Sequence, residues 1–271
     1  MKKTIFNLFL LSITLLLQNC GVEETNWDFQ SGTNGKLVVE SILTTEQKKQ
    51  AVRLSLSRND LNGTSIPITD AVVSINNGQD DFTFLASTEE PGLYESLQQS
   101  VALPGRLYTL TINWNEETYI AQNQMVFVSP IPQLRFNRVN ESDSMKLANP
   151  PSVFSATQQA IYEYNIDWSA LTGDESSRAQ QIFYVFESID ANGIFKSDPM
   201  PVYFPEGSRV IVKKYGLNED FAAYLRALAM EVEWQGGLLD ENSSSLPTNV
   251  SNGGLGYFGV CAVRVDTVWA E

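Results

Sequence analysis

Short runs in which apolar and polar residues alternate, each closed by turn residues, recur from Lys36 onward. The alternation is cleanest in Val52-Arg53-Leu54-Ser55-Leu56-Ser57 and from Leu107 to Ile112. Successive side chains of a strand point to opposite faces, so a period of two means strands buried on one side, which a second layer must cover. Seven such runs fall at 37–43, 51–57, 71–75, 82–86, 92–95, 107–114 and 117–125. Asn76-Asn77-Gly78 supplies turn chemistry, and Asn115-Glu116 is placed to join two long strands as a hairpin. Strands this short and this closely spaced predict an immunoglobulin-like β-sandwich over 36–127, without the Cys…Trp…Cys core of antibody domains.

Val128-Ser129-Pro130-Ile131-Pro132 marks a boundary, because two prolines favour an extended, stiff connector, here 128–133. Beyond it, 134–139, 161–168, 182–189, 202–204, 209–213 and 259–268 again read as strands, with Asp190-Ala191-Asn192-Gly193 as a turn and 141–158 as a polar loop. One segment has the helical period instead. Asn218 is a capping residue, Glu219 and Asp220 suit the first turn, and Phe221, Tyr224, Leu225, Leu228 and Val232 form one apolar stripe. The expected helix covers 218–234, ends near Trp234 before Gly236-Gly237, and uses its stripe to dock on a sheet. The fold class is therefore mainly β: an N-terminal immunoglobulin-like β-sandwich, then a second β-rich domain over 134–271 carrying one amphipathic helix.

The first twenty residues have a different character. Lys2 and Lys3 precede an apolar run from Ile5 to Leu17, and Leu17-Gln18-Asn19-Cys20 closes it. This is the layout of a bacterial secretory signal with a cysteine at the cleavage position. The run is shorter than the ~20 residues a membrane span needs. The expectation is a lipoprotein signal peptide over 1–19, a lipidated Cys20 and a tether over 20–35; the alternative is an uncleaved anchor, or an ordinary signal whose cysteine is accidental. Glu23 and Glu24, just behind the cysteine, resemble the acidic signal that sends Bacteroidota lipoproteins to the cell surface, or are simply two charges in a solvated linker.

Composition then removes several chemistries. The chain has no histidine, which excludes Ser-His-Asp and Cys-His catalysis and the His-bearing zinc sites. With Cys20 lipidated, Cys261 stands alone among Val260, Ala262 and Val263 and reads as a core hydrophobe, so no intrachain disulfide forms. A formal net charge of −14, or −16 once Lys2 and Lys3 are removed, repels nucleic acid and anionic membrane faces. Membrane attachment is expected only through the lipid.

Gly254-Leu255-Gly256-Tyr257-Phe258-Gly259 matches the dinucleotide fingerprint letter for letter, yet a polar stretch precedes it and a β pattern follows. That fingerprint needs a strand before and a helix after, so these glycines are read as shaping the last strand. The acidic pairs Asp80-Asp81, Glu89-Glu90, Glu116-Glu117 and Asp240-Glu241 sit in turn-like stretches and do not make the facing carboxylates of a glycosidase. Calcium ligands lack EF-hand spacing. Trp114, Trp168, Trp234 and Trp269 read as core, and Trp27 as a tether residue. No metal or cofactor is expected. Asp143-Ser144-Met145 and Asp266-Thr267-Val268 have the form of a Bacteroidota O-glycosylation signal.

Together, Lys36-Leu37-Val38-Val39-Glu40-Ser41-Ile42-Leu43, Pro104-Gly105-Arg106-Leu107-Tyr108 through Ile112, Thr118-Tyr119-Ile120-Ala121-Gln122, and above all Leu246-Pro247-Thr248-Asn249-Val250-Ser251-Asn252-Gly253 through Gly259 carry a resemblance. The chain resembles a Bacteroidota outer-membrane lipoprotein family catalogued as domain of unknown function 4249. The resemblance implies a lipid-anchored protein, often encoded beside a TonB-dependent outer-membrane transporter, and no catalytic residues carry over from it. The reading is thus a non-enzymatic, surface-exposed accessory or ligand-capture lipoprotein. The alternatives are a structural or adhesive envelope protein and, more remotely, a carboxylate-pair hydrolase. The polar stretch 235–252 and the glycine run are expected to display the partner contact, through Leu238, Leu239, Gly253, Gly254, Gly256, Tyr257 and Phe258.

Overall fold

The computed structural model describes residues 35–58, 64–99, 102–139, 143–152, 154–187, 201–232 and 246–271. The first eight strands are β1 (Leu37–Thr44), β2 (Ala51–Leu56), β3 (Ile66–Pro67), β4 (Val72–Asn76), β5 (Asp81–Ala86), β6 (Leu93–Ser96), β7 (Leu107–Trp114) and β8 (Glu117–Gln124). β1-β2-β6 and β5-β4-β7-β8 run as neighbours in the two layers of an immunoglobulin-like sandwich, and β5 also pairs with β6 at their common edge. The alternation read from sequence is the one the fold uses. Val52 and Leu54, Val73 and Ile75, and Leu110 and Ile112 all point inward into one core. β7 and β8 turn through Asn115 (φ 52°) and Glu116 (φ 64°), two left-handed residues, as the primed two-residue hairpin requires.

The next strands are β9 (Phe136–Arg138), β10 (Ser144–Leu147), β11 (Ala160–Asp167), β12 (Arg178–Val185), β13 (Phe204–Pro205), β14 (Arg209–Gly216) and β15 (Leu255–Trp269). They form a second sandwich, β12-β11-β14-β15 on one side and β13-β10-β9 on the other. Tyr164, Ile166, Phe183 and Val212 pack there with Met145 and Phe204. Two details depart from the sequence reading. The stretch 141–158, read as a polar loop, contains β10, whose one fully inward residue is Met145. A four-residue strand, Ser144–Leu147, is too short to show a period. The strand read at 182–189 lies at 178–185, because Arg178-Ala179-Gln180-Gln181 is polar yet pairs fully with β11 as a sheet edge.

β15 joins the two sandwiches. Its first half runs parallel to β1, from Val38 opposite Leu255 to Thr44 opposite Cys261. Its second half runs antiparallel to β14, from Gly216 opposite Ala262 to Arg209 opposite Trp269. Phe258, Val260 and Ala262 therefore belong to the first core, and Val268 packs on the second. A division at 128–133 separates two stretches of chain but not two cores, since residues near the C-terminal end complete the first sandwich. The physical cause is a pairing between β1 and β15 that no local pattern encodes.

The helix Glu219–Val232 begins where the sequence placed it: the Phe221 N–H donates to Asn218 Oδ1 at 2.8 Å. The expected end near Trp234 lies outside the described residues. Phe221, Ala222, Tyr224 and Leu225 dock on the outer side of the sheet, against Tyr257, Cys261, Tyr215 and Tyr184. Phe221 and Tyr224 lie 5.3 and 4.6 Å from the Tyr257 ring, centroid to centroid. Cys261 is sealed beneath them, and burial pushes its thiol up to about 12.

Candidate functional site

Of the residues expected to contact a partner, Leu238 and Leu239 lie outside the described residues, as do the lipidation site Cys20 and the acidic pair Glu23 and Glu24. The other five are in place: Gly254, Tyr257 and Phe258 are buried, Gly256 is half-buried and Gly253 is exposed. Gly253 is exposed in the turn that Gly254 closes by donating to Ser251 O at 3.1 Å. Gly254 is buried against Val250, and Gly256 presses its backbone against Val39. Tyr257 lies beneath the helix, and Phe258 is fully enclosed in the first core. Neither aromatic ring has surface to offer a partner, so their expected binding role is corrected to a packing role.

The residues just before them are equally occupied. Asn249 acts as a clamp between β8 and β15: its Nδ2 donates to Gln122 O at 3.0 Å and Phe258 O at 2.9 Å, and its Oδ1 accepts the Phe258 N–H at 3.0 Å. Ser251 exchanges hydrogen bonds with Ile120 through both its N–H and its hydroxyl, each at 2.8 Å. Asn123 donates to Phe258 O at 3.1 Å and accepts from Asn218, tying the helix start into the same polar seam. The expected display loop is thus, over 246–252, a closing seam of the first sandwich. Its asparagines stand where a strand would otherwise satisfy exposed backbone groups. The dinucleotide-like glycine pattern is the start of β15 and has no helix behind it.

Among the described residues, no group of three His, Cys, Asp or Glu side chains is placed to hold a metal. The described acidic pairs sit on turns or hold surface partners, such as Glu90 with Arg53 at 2.5 Å. Asp240-Glu241 lies outside the described residues. Trp168 packs on the second core as read, whereas Trp269 is 58% exposed at the end of β15.

A different place has the chemistry of a site. A cavity of about 370 Å³ opens at one end of the second sandwich, between the proline connector, residues 149–152 and 154–158, and the inner face of β11 and β14. Its floor carries Tyr162, Tyr164 and Lys214, all more than nine-tenths buried. The register explains the grouping, since Lys214 stands opposite Tyr162 on β11 and opposite Arg264 on β15. Lys214 Nζ donates to Ser129 Oγ at 2.7 Å, makes a long contact of 3.5 Å to Pro130 O, and lies 5.2 Å from the centre of the Tyr162 ring. It has no carboxylate partner among the described residues. Burial, with Arg264 adding like charge, pushes its ammonium below the usual lysine range. Burial likewise raises Tyr164, with Tyr162 beside it, and raises Tyr162.

The polar groups around this floor are already committed. Gln158 Oε1 accepts from the Ser129 N–H and hydroxyl, while its Nε2 donates to Phe127 O at 3.0 Å. Asn149 binds the Arg135 N–H and Gln133 O on the connector side. The hydroxyls of Tyr162 and Tyr164, by contrast, have no hydrogen-bond partner among the described residues. Sequence reading missed all three floor residues. Lys213-Lys214 looks like a solvated charge pair, and only the register shows that the second lysine points inward, away from Glu46, which holds Lys213 at 2.7 Å.

Known proteins place the chain in a family but not in a pathway. No curated protein matches it. The solved structures it is similar to include a crystal structure of chicken CNTN1 FN1-FN3 domains, at 9% identity and a TM-score of 0.31. That match covers 69% of this chain and spans 63% of the length of the other. The family model described as "Domain of unknown function (DUF4249)" matches residues 22–267, nearly the whole of the chain, and the protein belongs to that family.

Proposed function

We propose that this protein is a lipid-anchored, non-enzymatic capture protein of the outer membrane, displayed on the cell surface, that serves a TonB-dependent transporter. The observation that carries the capture reading is the recessed cavity, whose floor holds a buried ammonium with no carboxylate partner among the described residues, beside two tyrosines. A buried cation without a counter-charge is costly, and at the floor of a concave pocket it is a place prepared for a polar ligand. The anchor rests on the basic head, apolar run and cysteine of the first twenty residues, and the surface address on Glu23 and Glu24. The transporter rests on the family resemblance. The structural or adhesive alternative draws on β15, which welds the two sandwiches into one stiff body.

Purification of the native protein from membranes in mild detergent tests the partner. A TonB-dependent transporter is expected among the proteins recovered. Recovery of the lipoprotein alone, or with cell-wall components only, would favour the structural reading.

The anchor has its own test. Cys20→Ala is expected to abolish incorporation of a fatty-acid analogue and to release the protein from membranes or stall its processing, because among the described residues no helix is long and apolar enough to cross a membrane. Equal labelling of the variant and the parent would refute it.

A further inference from the structure

We infer that the cavity at the end of the second sandwich binds a small organic carboxylate, held by Lys214 with the hydroxyls of Tyr162 and Tyr164. The inference rests on the capture reading above and adds the class of ligand to it. The first argument is a count of what the cavity offers. No aspartate or glutamate lines it, in a chain with 32 acidic side chains against 18 basic ones. The amide groups of Asn149 and Gln158 each spend the carbonyl oxygen and one N–H on backbone and serine partners, which leaves further N–H donors and no unused amide oxygen to favour a donor ligand. What remains free is donor-rich: the third proton of an ammonium with one short and one long hydrogen bond, and two phenol hydroxyls. An ammonium carries three donors and no acceptor, so it selects an oxygen anion.

The second argument is charge. A buried cation without a counter-ion is costly. The Tyr162 ring face offsets part of that cost, and Arg264 on the neighbouring strand adds to it. A ligand carboxylate supplies the missing negative charge and makes charge-assisted hydrogen bonds, which are shorter and stronger than neutral ones. The third argument is the opposite wall. Pro130, Pro132, Leu134 and Pro151 give an apolar surface across from the donor floor, which fits a compact body attached to the carboxylate. The volume lies at the small end of the range for ligand sites, roughly 300–1,000 Å³.

The experiment is ¹⁹F NMR on the detergent-solubilised full chain with two probes of nearly equal size, 4-fluorobenzoate and 4-fluorobenzyl alcohol. The benzoate signal is expected to broaden and to be displaced by unlabelled benzoate, with the alcohol at least tenfold weaker. Lys214→Met should weaken benzoate at least tenfold. Tyr164→Phe, which keeps the ring and its packing, should weaken it several-fold and decides the matter should the lysine variant fail to fold. Equal binding of both probes would overturn the carboxylate inference and leave the capture reading standing. Binding of neither would remove both. Benzoate binding unchanged in both variants would move the site elsewhere and overturn the inference.

Discussion

Gly256→Ala is expected to cost about 3 kcal/mol or more, enough to lower the melting temperature of a domain this size by roughly 10 °C. Two separate causes add. Gly256 has φ +80°, where a side chain costs about 1–2 kcal/mol by itself. Its Cβ would also stand 2.1 Å from Val39 O, a backbone atom of the paired strand β1 that cannot step aside without breaking the ladder. Gly78→Ala isolates the first cause, since Gly78 has φ +88° with nothing within 4 Å of the added atom. Thermal melts of both variants give the comparison. Equal losses would show that the β1–β15 contact relaxes and that only backbone conformation matters at Gly256.

Phe221→Ala is expected to be as damaging, at about 3–5 kcal/mol, the range for emptying a buried phenylalanine site. The ring is 2% exposed, stacks on Tyr257 and closes over Cys261. It fits because Gly259 has no Cβ: an alanine there would stand 2.5 Å from the Phe221 ring. The pair therefore behaves as knob and hole. Gly259→Ala alone should destabilise, yet in the Phe221→Ala background its cost should largely vanish, leaving a coupling well above 0.5 kcal/mol in a double-mutant cycle from urea melts. Additive losses would mean that the ring shifts freely and that the glycine serves only the strand.

These glycines show which parts of the molecule were legible in sequence. The alternation in β2 and β7, the Asn115-Glu116 hairpin and the Asn218 cap are local signals, carried by residues next to one another, and each appears in the structure where it was read. The role of the C-terminal run was legible only in part. Its glycines do shape the last strand, but Tyr257 and Phe258 look like exposed aromatics until the parallel pairing with β1 and the helix above them are known. Tyr257 to Ala262 is covered on both faces, which erases the period that would have revealed it as an interior strand. The cavity was illegible for a related reason. Tyr162, Lys214 and the proline connector are brought together by cross-strand register and a returning segment, and neither leaves a mark on neighbouring residues.

The parallel match of Val38 with Leu255 also sets a timetable. Contacts between residues far apart in sequence form slowly, because a long loop must close before any of its bonds are gained. Most of the first sandwich is made before the strand that covers its β1 edge, which lies more than two hundred residues further along the chain. Until then the donors and acceptors on that side of β1 stand open, as an unpaired edge that other chains can add to. A chaperone that shields extended segments would find a long task there, and folding of the first sandwich is gated by β15 rather than by its own eight strands.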